Sequence, residues 1–195
     1  FDQTRNQLLI TYADGNIDII KDNQIINFNT LKNATTISGS KRINHISIQG
    51  GLAYLSTDFG VVVFDLIQLA VKETWRDLGA TGTKIKINQS TFHNDSIFLA
   101  TEKGVLAGKL TDNLLDFNNW QRFDTGVFNS SIPSVTTFNG SVYAAISGSG
   151  IYKYDDSAWT LQPYLQSMQY GTIAADQNLL VVSQGSLFRV NAAGI

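Results

Sequence analysis

Two histidines, no cysteine and a scatter of carboxylates make up the acid–base and metal-binding chemistry available to this 195-residue chain. His45 and His93 are the only imidazoles. Neither sits in an H-x-x-x-H or H-x-E spacing, and no thiolate supplements them, so the spacing of ligands that a zinc site needs is missing. One is expected just before an inner strand and the other in a hairpin turn, as ordinary surface or turn histidines. Gly79-Ala80-Thr81-Gly82-Thr83-Lys84 superficially suggests a phosphate loop, but it lacks the Gly-Lys-Ser/Thr ending and a following helix. It reads as a loop joining two repeats. Gly148-Ser149-Gly150 reads as a hairpin turn, because no helix follows to make it a dinucleotide fingerprint.

The carboxylates Asp14, Asp58, Asp95, Asp112, Asp155, Asp156 and Asp176 fall at expected turns. There an Asp usually binds its own backbone amides. Asp155-Asp156 would suit calcium only with a spaced Asp/Asn ladder, which is absent. A glycosidase needs two carboxylates facing one cleft, and nothing in the pattern pairs them. The expectation is a non-enzymatic protein with no catalytic, cofactor-binding or metal-binding residue and no cofactor; no particular residue is marked as ligand-binding. A glycosidase or lyase stands as the third-ranked reading.

The elements that must carry these residues are repeats. Five segments share an apolar run, a polar turn with Gly, and a second apolar run. Their turn glycines are Gly15, Gly60, Gly104, Gly150 and Gly185, a recurrence in the range of propeller blades built from four short strands. Positive φ in tight hairpins explains the glycines. The fold class expected is all-β, a partial β-propeller of about four and a half four-stranded blades, with residues 1–195 as a single propeller fragment. The blade pieces fall at about 7–30, 43–76, 86–123, 132–161 and 170–190. In the third, Ile87 to Phe92, Ser96 to Thr101, Val105 to Leu110 and Phe117 to Phe123 form strands A to D. Trp75, Trp120 and Trp159 all fall in expected D strands, where they pack one blade on itself or the next. Leu66 to Leu78 competes as an amphipathic helix, but the repeat places a C–D hairpin there.

The first repeat lacks strand A and the fifth lacks strand D, so the missing blades are expected from sequence beyond this stretch or from a second copy. A fragment of a longer protein is favoured, and any signal peptide would lie outside it. Hydrophobic residues make up 43% and charged residues 15%, which suits an ordered core. The net charge of −2 argues against a nucleic-acid partner. No apolar run reaches membrane-spanning length, and Val61 to Phe64 is strand-sized.

Gly15-Asn16-Ile17-Asp18-Ile19, Lys41-Arg42-Ile43-Asn44-His45-Ile46 and Ala53 through Asp65, with its Asp58-Phe59-Gly60 turn, resemble the N-terminal propeller of the PorZ family. So do Leu78-Gly79, Gly82, Ala100 through Val105, and Trp120. The likeness is densest from Gln7 to Trp120, and Glu73-Thr74-Trp75 departs from the acidic-Thr-Tyr run expected there. The resemblance implies a type IX secretion system component of Bacteroidota, with two propellers and a C-terminal sorting domain. It also implies an exported protein, in the periplasm or at the outer-membrane cell surface. Its partners would be other secretion-complex proteins, among them a sortase-like protease, and anionic lipopolysaccharide or another glycan. Asp95-Ser96-Ile97 and Asp156-Ser157-Ala158 resemble the O-glycosylation acceptor pattern of exported proteins in that phylum, Ser157 being the better placed. The rival is a periplasmic oligosaccharide-sensing propeller of a two-component system. Those repeats carry a Trp-containing strand B ending in Gly-Thr, whereas Tyr54, Phe98 and Tyr143 stand here.

Overall fold

A computed structural model describes residues 1–191. It contains five antiparallel meanders in chain order. Blade 1 is β1 (Leu8–Thr11), β2 (Ile17–Lys21) and β3 (Gln24–Phe28), followed by the one-turn helix α1 (Thr30–Asn33). Blade 2 is β4 (Ile43–Gln49), β5 (Leu52–Thr57), β6 (Gly60–Asp65) and β7 (Ala70–Arg76). Blade 3 is β8 (Ile87–His93), β9 (Ser96–Thr101), β10 (Val105–Lys109) and β11 (Gln121–Phe123). Blade 4 is β12 (Ser134–Phe138), β13 (Ser141–Ile146), β14 (Gly150–Tyr154) and β15 (Trp159–Leu161). Blade 5 is β16 (Tyr170–Ala175), β17 (Leu179–Ser183) and β18 (Ser186–Val190). This is a partial β-propeller, as the repeat predicts, and the expected strands agree with it to within a residue or two almost throughout.

Alternation along each strand glues the blades together. On β9, Ile97 and Leu99 pack toward blade 2 while Phe98 and Ala100 pack toward blade 4. On β13, Val142, Ala144 and Ile146 face blade 3 while Tyr143 and Ala145 face blade 5. Each middle blade is therefore apolar on both faces, and a core lies at each of the four seams. Toward the axis the inner strands are stitched by polar side chains. Asn44 and Asn88 occupy irregularities at the starts of β4 and β8. Each Nδ2 donates to a carbonyl at the next blade, Ile87 O and Ile132 O, at 2.9 and 2.8 Å. Extra residues of this kind re-aim a side chain out of the ladder.

Four local expectations need correction. Phe117–Asn119 is a 3-10 turn capped by the Asp116 carboxylate, so strand D of blade 3 is only β11 and Trp120 immediately precedes it. The tryptophans do not share one register. Trp75 packs toward the following blade, whereas Trp159 faces the preceding one, as does Trp120. In the fourth repeat the positive φ falls on Gly148, at 77°, and not on Gly150. A Cβ at Gly150 would stand 2.5 Å from Leu161 Cδ1, the end of an exposed side chain that can swing aside, so neither φ nor space demands glycine there. The segment from Leu66 to Leu78 needs no correction: it holds β7, paired with β6 in the C–D hairpin that the repeat places there. Finally, the histidines are not surface residues. His45 lies inside β4, half-buried, and His93 ends β8 with 8% of its surface exposed.

Candidate functional site

Antiparallel meanders place all B–C turns and D–A connections at one end of the arc and all A–B and C–D turns at the other. The two ends differ in charge. At the B–C/D–A end of blades 1 to 3, Arg42, Arg76, Lys84 and Lys103 are exposed. Arg76 donates to Thr36 O at 3.2 Å and Lys84 to Ser38 O at 3.4 Å, so these cations rest on backbone carbonyls. Among the described residues no ion pair engages Arg76, Lys84 or Lys103. Asp58 is more enclosed. Burial opposes its ionisation, but hydrogen bonds from Ser40 and Asn44 and the charges of Lys86 and Arg42 hold its carboxyl below the ordinary range.

Two clefts open at this end and share Lys84. One, of about 160 Å³, lies beside Thr36, Ser38 and Arg76. The other, of about 430 Å³, lies beside Thr83, Lys103, Asn129 and Ser130. The loop Gly79–Lys84 that resembled a phosphate loop joins blades 2 and 3, as its sequence predicts, and forms part of both walls. Asp77 lines the first cleft and Glu102 the second, so the shared rim holds three cations against two carboxylates, an excess that attracts anions without an enclosed binding pocket.

The opposite end is acidic. At the seam of blades 3 and 4 a groove of about 430 Å³ is bounded by His93, Asp95, Lys109, Asp112 and Asp156 over Phe98 and Tyr154. His93 Nε2 lies 2.8 Å from Asp156 Oδ1, joining residues of two blades. An imidazole oriented by a carboxylate is two-thirds of a nucleophile-activating arrangement. Among the described residues no hydroxyl is hydrogen-bonded to His93, whose partners are Asp156 and Asn94. Asp155 is held by its own turn, accepting from Ser157 N, Ser157 Oγ and Ala158 N. Among the described residues no group of three or more His, Asp or Glu is placed to hold a metal ion. Ser157 is exposed, whereas Ser96 is half-buried at the start of β9. The sequence reading missed the His93–Asp156 contact, which spans 63 positions and becomes visible only once the two blades are docked.

Comparison with known proteins gives a consistent picture. The family described as TSS9, PorZ, N-terminal beta-propeller domain matches residues 1–121. No curated protein sequence matches. Among solved structures, PorZ of Porphyromonas gingivalis aligns with 22% identity and a TM-score of 0.81 over 100% of this chain. That protein is described as an essential surface component of the type IX secretion system. The extracellular domain of a protein assigned to a hybrid two-component system in B. thetaiotaomicron aligns with 16% identity and a TM-score of 0.61 over 95% of the chain. BamB of Moraxella catarrhalis aligns with 9% identity and a TM-score of 0.64, over 97% of this chain and 55% of its own. This chain spans 26% of the PorZ structure and 26% of the sensor domain. At these identities the structural likenesses establish the fold.

Proposed function

This chain belongs to the family of PorZ N-terminal β-propeller domains of type IX secretion, and on that premise we propose that it is a non-enzymatic binding module of a cell-surface attachment complex. Residues 1–195 form one portion of one propeller. The module sits in the cell envelope, at the periplasmic or outer-membrane surface. It holds other secretion-complex proteins, a sortase-like protease among them, and takes anionic lipopolysaccharide at its B–C/D–A end.

The observation that carries this reading is the unpaired basic rim around Lys84. Arg76, Lys84 and Lys103 are exposed and border two linked clefts; Asp77 and Glu102 line the same clefts, but among the described residues neither is ion-paired to these three cations, which outnumber them. An anionic polysaccharide presents repeated charges, so several cations on one rim suit it better than a single deep pocket. Among the described residues no helix is long and apolar enough to cross a membrane. The test is binding of the full-length protein to immobilised lipopolysaccharide, in anionic and charge-free forms, across a salt series. Preference for the anionic form, weakening as salt shortens the screening length, is expected. Equal binding to both forms refutes the glycan assignment.

The sensor reading retains one supporting observation, the fold likeness to the B. thetaiotaomicron extracellular domain. Saturable binding of neutral oligosaccharides, with no response to anionic lipopolysaccharide, would favour it.

A further inference from the structure

The groove at the acidic end has a different chemistry from the basic rim. It lies where β8 and β9 of blade 3 meet the C–D turn of blade 4. The preceding seam, between blades 2 and 3, is covered at the same height. There the long C–D connection of blade 3, residues 110–120, folds back and buries Leu114 and Trp120 against blade 2. In blade 4 the corresponding connection is only residues 155–158, and its three exposed polar residues do not cover the seam. The groove is therefore the uncovered counterpart of a position that the repeat fills with its own loop one blade earlier.

What lines the groove is rich in acceptors. Asp95, Asp112 and Asp156 are exposed carboxylates at its rim, balanced there by Lys109 alone. His93, nine-tenths buried, makes its hydrogen bonds through Nε2. Because a carboxylate only accepts, the contact with Asp156 uses hydrogen on Nε2, and the imidazole thereby ties the wall of the groove to Asp156 across the two blades. Beneath lie the rings of Phe98 and Tyr154, 5.5 Å apart between centroids. Carboxylates around an aromatic floor suit a planar cation. Guanidinium has donors and no acceptor, pairs with carboxylates, and stacks on ring faces better than ammonium does. A neutral sugar, whose hydroxyls both donate and accept, uses such a set less completely.

We infer that this groove is the docking site for an arginine side chain presented by a loop of a protein partner, which takes the place that residues 110–120 occupy on the preceding seam. Arginine is the residue most suited to anchor such an interface, since buried aromatic and Arg contacts dominate binding hot spots. The assignment is independent of the glycan reading, because it uses the opposite end of the arc.

The experiment titrates the full-length protein with the peptide Gly-Gly-Arg-Gly-Gly and its citrulline counterpart, which keeps the shape and removes the charge. Saturable binding of the arginine peptide is expected, with citrulline at least about tenfold weaker, as befits loss of a charge-assisted contact. Asp112→Asn and Asp95→Asn, both on exposed turns, should each weaken arginine binding severalfold and leave the melting temperature unchanged. Lys84→Glu, at the opposite end, should leave it unaltered. Equal response to citrulline, no saturable binding, or wild-type affinity in both Asp variants overturns the assignment. Saturable uptake of maltose instead, lost in Asp112→Asn, would also overturn it and assign the groove to glycan.

Discussion

The seams on the two sides of blade 3 are built from the same repeat, yet one is sealed and the other open. Between blades 2 and 3, Trp120 packs edge-on to Trp75 with ring centroids 5.8 Å apart, and its Nε1 donates to Leu114 O at 3.1 Å. Gly108 makes room for this arrangement. A Cβ at that position would stand 2.7 Å from Leu114 and 2.9 Å from Trp120. Between blades 3 and 4, Trp159 occupies the matching place, but it lies opposite Tyr154 and not opposite glycine. The two rings sit 5.0 Å apart, and Trp159 Nε1 is buried with no hydrogen-bond partner. The short C–D turn of blade 4 supplies no carbonyl equivalent to that of Leu114. One loop length thus decides whether a seam is completed from within the chain or left with a groove and an orphaned donor.

The largest effect that would break this comparison is removal of the sealing indole. Trp120→Ala should cost about 3–5 kcal/mol, as large-to-small changes in cores do, measured by denaturant unfolding. A loss below about 1 kcal/mol would mean that the loop 110–120 does not close the seam. Next, Gly108→Ala adds a methyl where no room exists and should cost about 1–3 kcal/mol through overpacking. The same technique, with unchanged m-value, reads it.

Acid should loosen the sealed seam at its inner edge. Burial pulls the His45 pKa down to about 4 from the ordinary 6.5, and its Nδ1 accepts from Ser90 N at 3.4 Å across the seam. Between those two values the unfolded chain takes up a proton that the folded chain refuses, so stability falls as pH drops from about 6.5 to about 4. His45→Asn should flatten that part of the melting-temperature profile, by an amount equivalent to about 3 kcal/mol. An unaltered slope in the variant would place the acid sensitivity elsewhere. The smallest effect sharpens the contrast. Trp159→Phe removes an unsatisfied donor and should be neutral or mildly stabilising, whereas Trp120→Phe loses a hydrogen bond worth about 1 kcal/mol. Equal losses at both positions would contradict the difference between the seams.

Strand order and turn positions were legible in the sequence because hairpin glycines and alternating apolar runs are local signals. Gly15, Gly60, Gly104 and Gly185 carry the positive φ that the repeat demands. The tryptophans were harder to place. Which face a D-strand residue takes depends on its pairing register, and in blade 3 the 3-10 turn Phe117–Asn119 takes up what reads as strand. His45 and His93 look like turn residues because their burial comes from adjoining blades. The basic rim was equally hidden. Arg76, Lys84 and Lys103 are scattered singly along the chain and converge only when the D–A connections and B–C turns line up at one end.

The central claim is that the two ends of the arc have separate binding duties, and one paired measurement addresses it directly. Lys84→Glu with Lys103→Glu, and separately Asp95→Asn with Asp112→Asn, are placed in the full-length protein and assayed on the same anionic lipopolysaccharide surface at moderate salt. The first pair should lose about tenfold or more in affinity and flatten the salt dependence, while the second binds as well as the wild type. Equal change in both pairs, or none in the first, would contradict the account.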